Sequence, residues 1–364
     1  MQAIVLGAGV AGLCCALELA TRGVTVQVLE RGDETLRAGC SWRAGGMLAP
    51  WCELEAAGEP LIAQLGLEGL AWWQAQAGLP GLQQAGTLVV AAAREHADLQ
   101  HFAQRTRTYR WLRDAEIAAL EPELAGRYAC GLFFADEGHL DPRRALHYLL
   151  GQLRVRGVQL RFAVGEEELE RVRLRAGTQG QVLIDCRGLA AADTLPRLRG
   201  VRGEMLLLQS QELALRRPVR LLHPRLPLYV VPRGEGLYMV GATSLESDDA
   251  GPVTARSALE LLSAAYALHP AFGEARIVEM SSGVRPAFED NLPRIVRLGR
   301  VWYVNGLFRH GFLLAPALAR RLAAIVLEAQ SFPELQEPQG LQELQALRAQ
   351  REPGNENSTE RRLA

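Results

Sequence analysis

The sequence predicts an α/β fold: a Rossmann-like nucleotide-binding domain opens the chain and is interleaved with an α+β domain built on an antiparallel sheet. Three observations carry this reading. The chain begins with an apolar strand pattern, the loop Gly7-Ala8-Gly9-Val10-Ala11-Gly12, an apolar helix pattern and a second strand that ends at Glu30. The stretch 141–186 runs helix, strand, excursion, strand, the order that returns a chain to a parallel sheet. Residues 203–208, 228–232 and 236–243 have the alternation of antiparallel strands. The expected division is 1–75, 138–193 and 281–335 for the nucleotide domain, 76–137 and 194–280 for the second domain, and 336–364 for a flexible tail.

Each element has a local cause. Residues 4–6 form a buried parallel strand, and Leu13, Ala16, Leu17 and Ala20 repeat at helical spacing before Gly23. In the loop between them Gly7 permits a tight turn, Gly9 lets backbone approach a pyrophosphate, and Gly12 lets the helix lie close to the sheet. The helix N-terminus then offers unpaired N–H groups and a positive dipole end to the phosphates. Glu30 lies 18 residues beyond Gly12, where a carboxylate accepts from both ribose hydroxyls and repels a 2′-phosphate. A signal peptide is excluded in this stretch by the missing basic start, the three glycines and Glu18.

Further on, residues 40–50 are a small-residue loop through which backbone can touch a flat ligand. Helical spacing follows at 62–75, a strand at 85–91, helices at 95–108 and 115–120, and a strand at 131–134. Asp141-Pro142 starts a helix over 143–156, with Asp as cap and Pro at the first position. Short strands at 158–163 and 182–186 flank the charge-rich stretch 165–175, a solvated turn or helix face. A helix at 253–267 backs the antiparallel strands, a final strand spans 301–304, and an apolar helix begins near Ala315 with Pro316 in its first turn. Residues 341–351 are expected as a loose helix and 352–364 as disordered.

Composition removes several functions. A net charge of −1 in 364 residues offers no field for nucleic acid or an anionic membrane, and no 18-residue charge-free apolar segment suggests a bilayer span. The six cysteines form no Cys-x-x-Cys pair and are expected as reduced thiols of a cytoplasmic protein. The seven histidines lack ligand spacing, so no metal site is expected. All 40 basic side chains are arginine, and lysine chemistry is absent with them: no Schiff base, no P-loop, no lysine base or oxygen-activating cation. Only one dinucleotide fingerprint occurs, so a bound flavin dinucleotide would be reduced by an organic substrate directly and not by a second, nicotinamide-bearing nucleotide.

Two C-terminal segments are more specific. Gly283-Val284-Arg285-Pro286 with Asp290-Asn291-Leu292-Pro293, and Gly306-Leu307-Phe308-Arg309-His310-Gly311-Phe312-Leu313-Leu314-Ala315-Pro316, resemble the FAD-dependent amine and amino-acid oxidases of the D-amino acid oxidase superfamily, and within it the glycine oxidases of thiamine biosynthesis. Ala44-Gly45-Gly46-Met47-Leu48-Ala49-Pro50, Tyr229-Val230-Val231-Pro232 and Val240-Gly241-Ala242-Thr243 fit as well, and the likeness spans roughly residues 1–330.

The resemblance implies a glutathione-reductase type FAD-binding domain and noncovalent FAD. It assigns the cofactor to Gly7, Ala8, Gly9, Val10, Ala11, Gly12, Glu30, Arg31, Ser41, Ala44, Gly45, Gly46, Met47, Val164, Gly188, Arg285, Gly306, Arg309, His310, Gly311, Phe312 and Leu313. Catalysis falls to Arg285, Tyr229, Arg309 and Met47. Arg285 precedes a proline and is therefore biased to extended backbone, and its guanidinium fork matches a carboxylate bidentately. Tyr229 donates to the same carboxylate, Arg309 closes the pocket mouth, and His310 supplies positive charge. The implied reaction is oxidative deamination of glycine, sarcosine or small D-amino acids to glyoxylate or imine, ammonia and hydrogen peroxide, with molecular oxygen as acceptor and thiazole synthase as recipient of the imine. A homo-oligomer is expected. D-amino acid dehydrogenases and secondary-metabolite amine oxidases share these motifs; an NAD-dependent dehydrogenase or a non-catalytic nucleotide-binding module shares only the N-terminal fingerprint.

Overall fold

The computed structural model describes residues 1–175, 181–223 and 227–336. In chain order, β1 (Gln2–Leu6) leads through the glycine loop to α1 (Val10–Thr21) and β2 (Thr25–Leu29). Then come β3 (Met47–Leu48), α2 (Pro50–Ala57), α3 (Pro60–Gln74), β4 (Thr87–Ala91), α4 (His96–Arg105), β5 (Arg110–Arg113), α5 (Asp114–Leu120), β6 (Cys130–Phe134) and β7 (Gly138–His139). The chain continues with α6 (Pro142–Val155), β8 (Gln159–Arg161), α7 (Glu166–Leu174) and β9 (Gln181–Asp185). It ends with β10 (Arg199–Gln209), β11 (Val219–Leu222), β12 (Leu228–Gly234), β13 (Leu237–Gly241), β14 (Leu245–Glu246), α8 (Ala255–Leu268), β15 (Arg276–Ala287), β16 (Arg294–Leu298), β17 (Val301–Asn305) and α9 (Gly311–Glu328).

The first sheet has the order β16-β17-β9-β1-β2-β8 and is parallel except for its edge strand β16. Its inner strands β1, β2, β9 and β17 are mostly apolar because both faces are covered. Val5, Val28 and Ile184 pack with α1, α6 and α9 in one core, while Leu6, Leu29 and Leu183 face the other side with Leu169 of α7. Asp141 caps α6, its Oδ1 accepting from the N–H of Arg143 at 2.8 Å and of Arg144 at 3.3 Å. The carboxyl ends of β1, β2, β9 and β17 therefore open onto one crevice, the place where parallel α/β sheets bind ligands.

The second sheet runs β14-β10-β13-β12-β11-β4-β6-β5, with β15 paired along β10. Only its β4–β11 pair is parallel. Leu206, Leu208, Val230 and Val240 turn one face toward Leu261, Ala265 and Leu268 of α8. Residue 281, expected as a domain boundary, lies inside β15, which stays in this sheet to Ala287.

Several elements differ from expectation. α2, β5, β11, β15 and β16 carry no periodic pattern long enough to read, and α4 stops at Arg105, where the Thr106 hydroxyl donates to the Phe102 carbonyl at 2.9 Å. The final helix starts at Gly311 and not near Ala315, so Pro316 sits inside it. That proline has no N–H to offer the Phe312 carbonyl four residues back. The Trp73 indole donates to this carbonyl instead, at 2.6 Å and fully buried. The expectations for 341–351 and 352–364 lie outside the described residues. Among the described residues no helix is long and apolar enough to cross a membrane.

Candidate active site

The crevice begins at the glycine loop. A β carbon on Gly12 would lie 1.9 Å from the Gly7 carbonyl oxygen, so only glycine lets α1 descend onto the loop. On Gly9 it would meet nothing nearer than Ser41 Oγ at 3.4 Å, so the space it leaves is cleft. Glu30 reaches back to the loop, its Oε2 accepting from Ala8 N–H at 2.6 Å and its Oε1 from Gly32 N–H at 2.7 Å. Ser41 Oγ accepts from Val10 N–H at 3.1 Å, and no residue of α1 itself caps its N-terminus. Gly7, Gly9, Val10, Glu30 and Ser41, with Ala11, Arg31 and Gly188, line a cavity of about 240 Å³, while Ala8 and Gly12 lie outside that lining. Gly188 turns with φ +63°, and the Asn305 side chain at the end of β17 donates to its carbonyl at 2.9 Å. Val164 is set apart from this lining: its N–H donates to the Glu30 carbonyl at 3.0 Å and its side chain is buried in the core behind.

Val10, Cys40, Ser41, Phe308 and Gly311 are shared with a second cavity of about 470 Å³ between the two sheets. Ala44, Gly45, Gly46 and Met47 line it, as do Arg309, His310, Gly311, Phe312 and Leu313. Gly306 (φ +75°) makes the turn ahead of α9, whose N-terminus faces the cavity with no side-chain cap. Two helix N-termini thus converge where the cavities join, and both favour negative charge.

Tyr229 and Arg285 meet in this second cavity. Tyr229 lies between Gly45 and Gly241, at each of which a β carbon would come within 2.9 Å of the tyrosine. Arg285 extends from β15 over Gly203, and its Nη1 donates to the Thr243 carbonyl at 3.2 Å. Burial, joined by the charge of Arg309 and opposed by Tyr229, pulls the Arg285 pKa below its ordinary value. A guanidinium stays charged regardless. Among the described residues no carboxylate lies within ion-pair distance of it, whereas Arg220 and Arg309 of the same cavity each have one.

The charged group opposite was not legible as a motif. Glu53, in the first turn of α2, is buried and gives one oxygen to each of two arginines: Oε1 to Arg220 Nη1 at 3.1 Å and Oε2 to Arg309 Nε at 2.9 Å. His310 Nδ1 is 3.1 Å from the same Oε2. Burial alone would raise the Glu53 pKa, but Arg309, Arg220 and His310 overcome it and hold the carboxyl well below its ordinary value. Burial lowers the His310 pKa, with the Glu53 carboxylate opposing it. Arg309 and Arg220 bring positive charge to the carboxylate that His310 also faces. A further arginine, Arg233, donates to the carbonyls of Gly45, at 2.7 Å, and of Leu140, fixing the loop that carries Gly45 and Gly46. The only signals for these residues were lone charges among apolar neighbours: Glu53 after Pro50-Trp51-Cys52, and Arg220 inside an apolar strand.

The profile of the family described as DAO, FAD dependent oxidoreductase, matches residues 2–325. The chain belongs to this family. It is an FAD-dependent enzyme, and its sheets and crevice are the family's architecture. It is 52% identical over 336 residues to a Rhizobium etli protein that carries the name thiamine biosynthesis oxidoreductase ThiO, over 92% of this chain and 99% of that one. It is 28% identical over 350 residues to the bifunctional protein ThiO/ThiG of Synechocystis sp., of which it spans about half, 52%. Among solved structures, the glycine oxidase of Geobacillus kaustophilus has the same fold, with a TM-score of 0.75 at 24% identity over 91% of this chain and 96% of that one.

The residues present fit FAD. Gly9 leaves open the place where a pyrophosphate approaches α1, Glu30 presents acceptors beside it, and the joined cavities continue past Ser41 to the uncapped start of α9. The adenosine and pyrophosphate would be held by residues 7–12, Glu30 and Ser41, and the ring system between the 44–47 loop and the 306–313 segment.

Proposed function

We propose that this chain oxidises the amine of a small amino acid, glycine foremost, and that the imine so formed serves thiazole formation in thiamine biosynthesis. The single observation that carries the substrate class is Arg285: a half-buried, charged fork in the cavity with no carboxylate of its own. Such a group is stabilised by an anionic ligand, and a carboxylate satisfies it with two parallel hydrogen bonds. Tyr229 stands beside it with a hydroxyl to donate. The names of the relatives support the narrower reading, since the similar proteins include a ThiO and glycine oxidases, and in the Synechocystis protein ThiO is joined to ThiG.

Bound FAD supplies the acceptor for the hydride on the carbon that bears the amine. The chain's residues do the rest by placement. Arg285 and Tyr229 fix the carboxylate and so aim the α carbon at the 44–47 side of the cavity. His310 sits against Glu53, and no residue is needed as a base when the substrate amine binds unprotonated. Water then converts the imine to glyoxylate and ammonia, and molecular oxygen accepts the two electrons as hydrogen peroxide.

Anaerobic mixing of the holoenzyme with glycine, sarcosine and D-alanine, followed by flavin absorbance, tests this. Glycine or sarcosine abolishes the absorbance near 450 nm, and Arg285→Ala remains yellow but needs roughly 30- to 5,000-fold more substrate, the equivalent of about 2–5 kcal/mol for one partner of a buried charged pair. Unchanged substrate dependence in that variant overturns the reading. The acceptor is tested separately: the chain has no lysine, which favours a second reading in which an organic acceptor replaces oxygen. An oxygen electrode against dye reduction separates the two.

A further inference from the structure

We propose that Glu53 is the residue that restricts this cavity to substrates with a single negative charge, by occupying the second guanidinium at its rim. This rests on the carboxylate reading of Arg285. Arg285 and Arg309 both line the 470 Å³ cavity, and the charge of Arg309 is felt at Arg285. Two free guanidinium forks facing one small cavity would select a dianion. Arg285 has no carboxylate partner among the described residues, and Arg43, which also lines the cavity, directs its Nη1 to the Ala38 and Gly39 carbonyls at 3.2 and 3.3 Å. Arg309 Nε is held 2.9 Å from Glu53 Oε2, and the other oxygen of the same carboxylate is taken by Arg220 at 3.1 Å.

The arrangement is fixed at its base. Glu53 sits in the first turn of α2, and the N–H groups that open this helix, those of Trp51 and Cys52, donate to Glu137 Oε1 at 3.0 and 2.8 Å. Glu53 and Arg220 are both buried, so the pair is screened little by solvent. Arg309 is the exposed member, with about a third of its side chain open to solvent (29%). It is therefore the member that an incoming anion can reach once the carboxylate is neutralised. Glu53 touches no reacting atom and acts through Arg309, as a positioning and selectivity residue.

The test uses the holoenzyme and two ligands that cannot be oxidised, acetate and malonate, titrated while the flavin spectrum is recorded. Glu53→Gln keeps the shape and removes the charge. In that variant malonate tightens relative to acetate by roughly tenfold or more, the scale of one close charge pair. The ratio of kcat/KM for iminodiacetate to that for glycine rises with it. The double variant Glu53→Gln/Arg309→Gln loses the gain. A purely structural role for Glu53 would weaken both ligands alike and leave the ratio unmoved, and an unmoved ratio overturns the proposal. Should Glu53→Gln fail to fold, Arg309→Gln alone decides: it keeps the wild-type ratio of malonate to acetate, whereas a tenfold loss confined to malonate shows Arg309 already engaging the second anion and overturns the proposal. If neither ligand perturbs the wild-type spectrum, the reading of Arg285 fails first. If acetate binds and only the ratio is unchanged, the role of Glu53 alone fails.

Discussion

Gly203→Ala moves the Arg285 guanidinium while leaving its charge in place. A β carbon built on Gly203 lies 2.0 Å from Nη2, 2.2 Å from Cζ and 2.5 Å from Nη1 of Arg285. Ordinary contact between such atoms begins near 3.5 Å, so the fork must withdraw by about 1–1.5 Å. The obstacle is the far end of a flexible side chain and not backbone, so β10 and β15 keep their pairing and the protein folds. A fork displaced by this much keeps at most one of its two bonds to a carboxylate, and a hydrogen bond to a charged group contributes about 1.5–3 kcal/mol. The KM for glycine rises roughly 10- to 150-fold, with FAD content and thermal stability at wild-type values. Steady-state kinetics and acetate titration of the flavin spectrum measure it. A KM within about twofold of wild type would mean that Arg285 does not hold the substrate, since a misplacement of about 1 Å should cost far more.

Gly9 and Gly12 should separate binding from folding: Gly9→Leu folds and purifies without yellow colour, because its side chain enters cleft space, whereas Gly12→Ala melts at lower temperature, because its β carbon strikes the Gly7 carbonyl. Trp73→Phe removes the donor that serves the Phe312 carbonyl and lowers unfolding stability by about 1–3 kcal/mol in denaturant titration. Two buried neighbours give a pH test. Burial lifts Glu137 from 4.5 to about 7, so the folded chain keeps a proton the unfolded chain has lost and stability falls as pH rises through that interval. Burial, with Arg233 adding to it, lowers His139 from 6.5 to about 4, so stability falls as pH drops through that interval. Each contributes about 3 kcal/mol, and they oppose one another between about pH 4.5 and 6.5. Glu137→Gln uncovers the histidine: the melting temperature of the variant climbs with pH across this range where the wild type stays flat, and parallel profiles would refute the assignment.

What could be read from the sequence was what local chemistry decides. The glycine loop is legible because each glycine answers a backbone constraint within a few residues, Gly12 against Gly7 and Gly7 with its φ of +95°. Asp141 is legible because its cap acts on N–H groups two and three residues ahead. The start of α9 was displaced for the same reason in reverse. A proline normally marks the first turn of a helix, and Pro316 is tolerated further in only because an indole 239 residues away in sequence supplies the missing bond. No local pattern encodes that donor.

The charged part of the site is of this second kind. Arg285 was singled out by the motif around it, but what makes it a candidate for binding is a negative fact, the lack of a carboxylate partner among the described residues, which no reading of neighbouring letters contains. Glu53 and Arg220 are 167 residues apart, and each looks ordinary where it stands: an acid in a helix's first turn, an arginine in a strand. Only the closure of the second sheet over α2 brings them together and commits Arg309 to them. Motif and pairing therefore carry different information. The motif singles out Arg285 as the proposed carboxylate anchor, and the pairing shows that Arg309 beside it already faces a carboxylate of the chain.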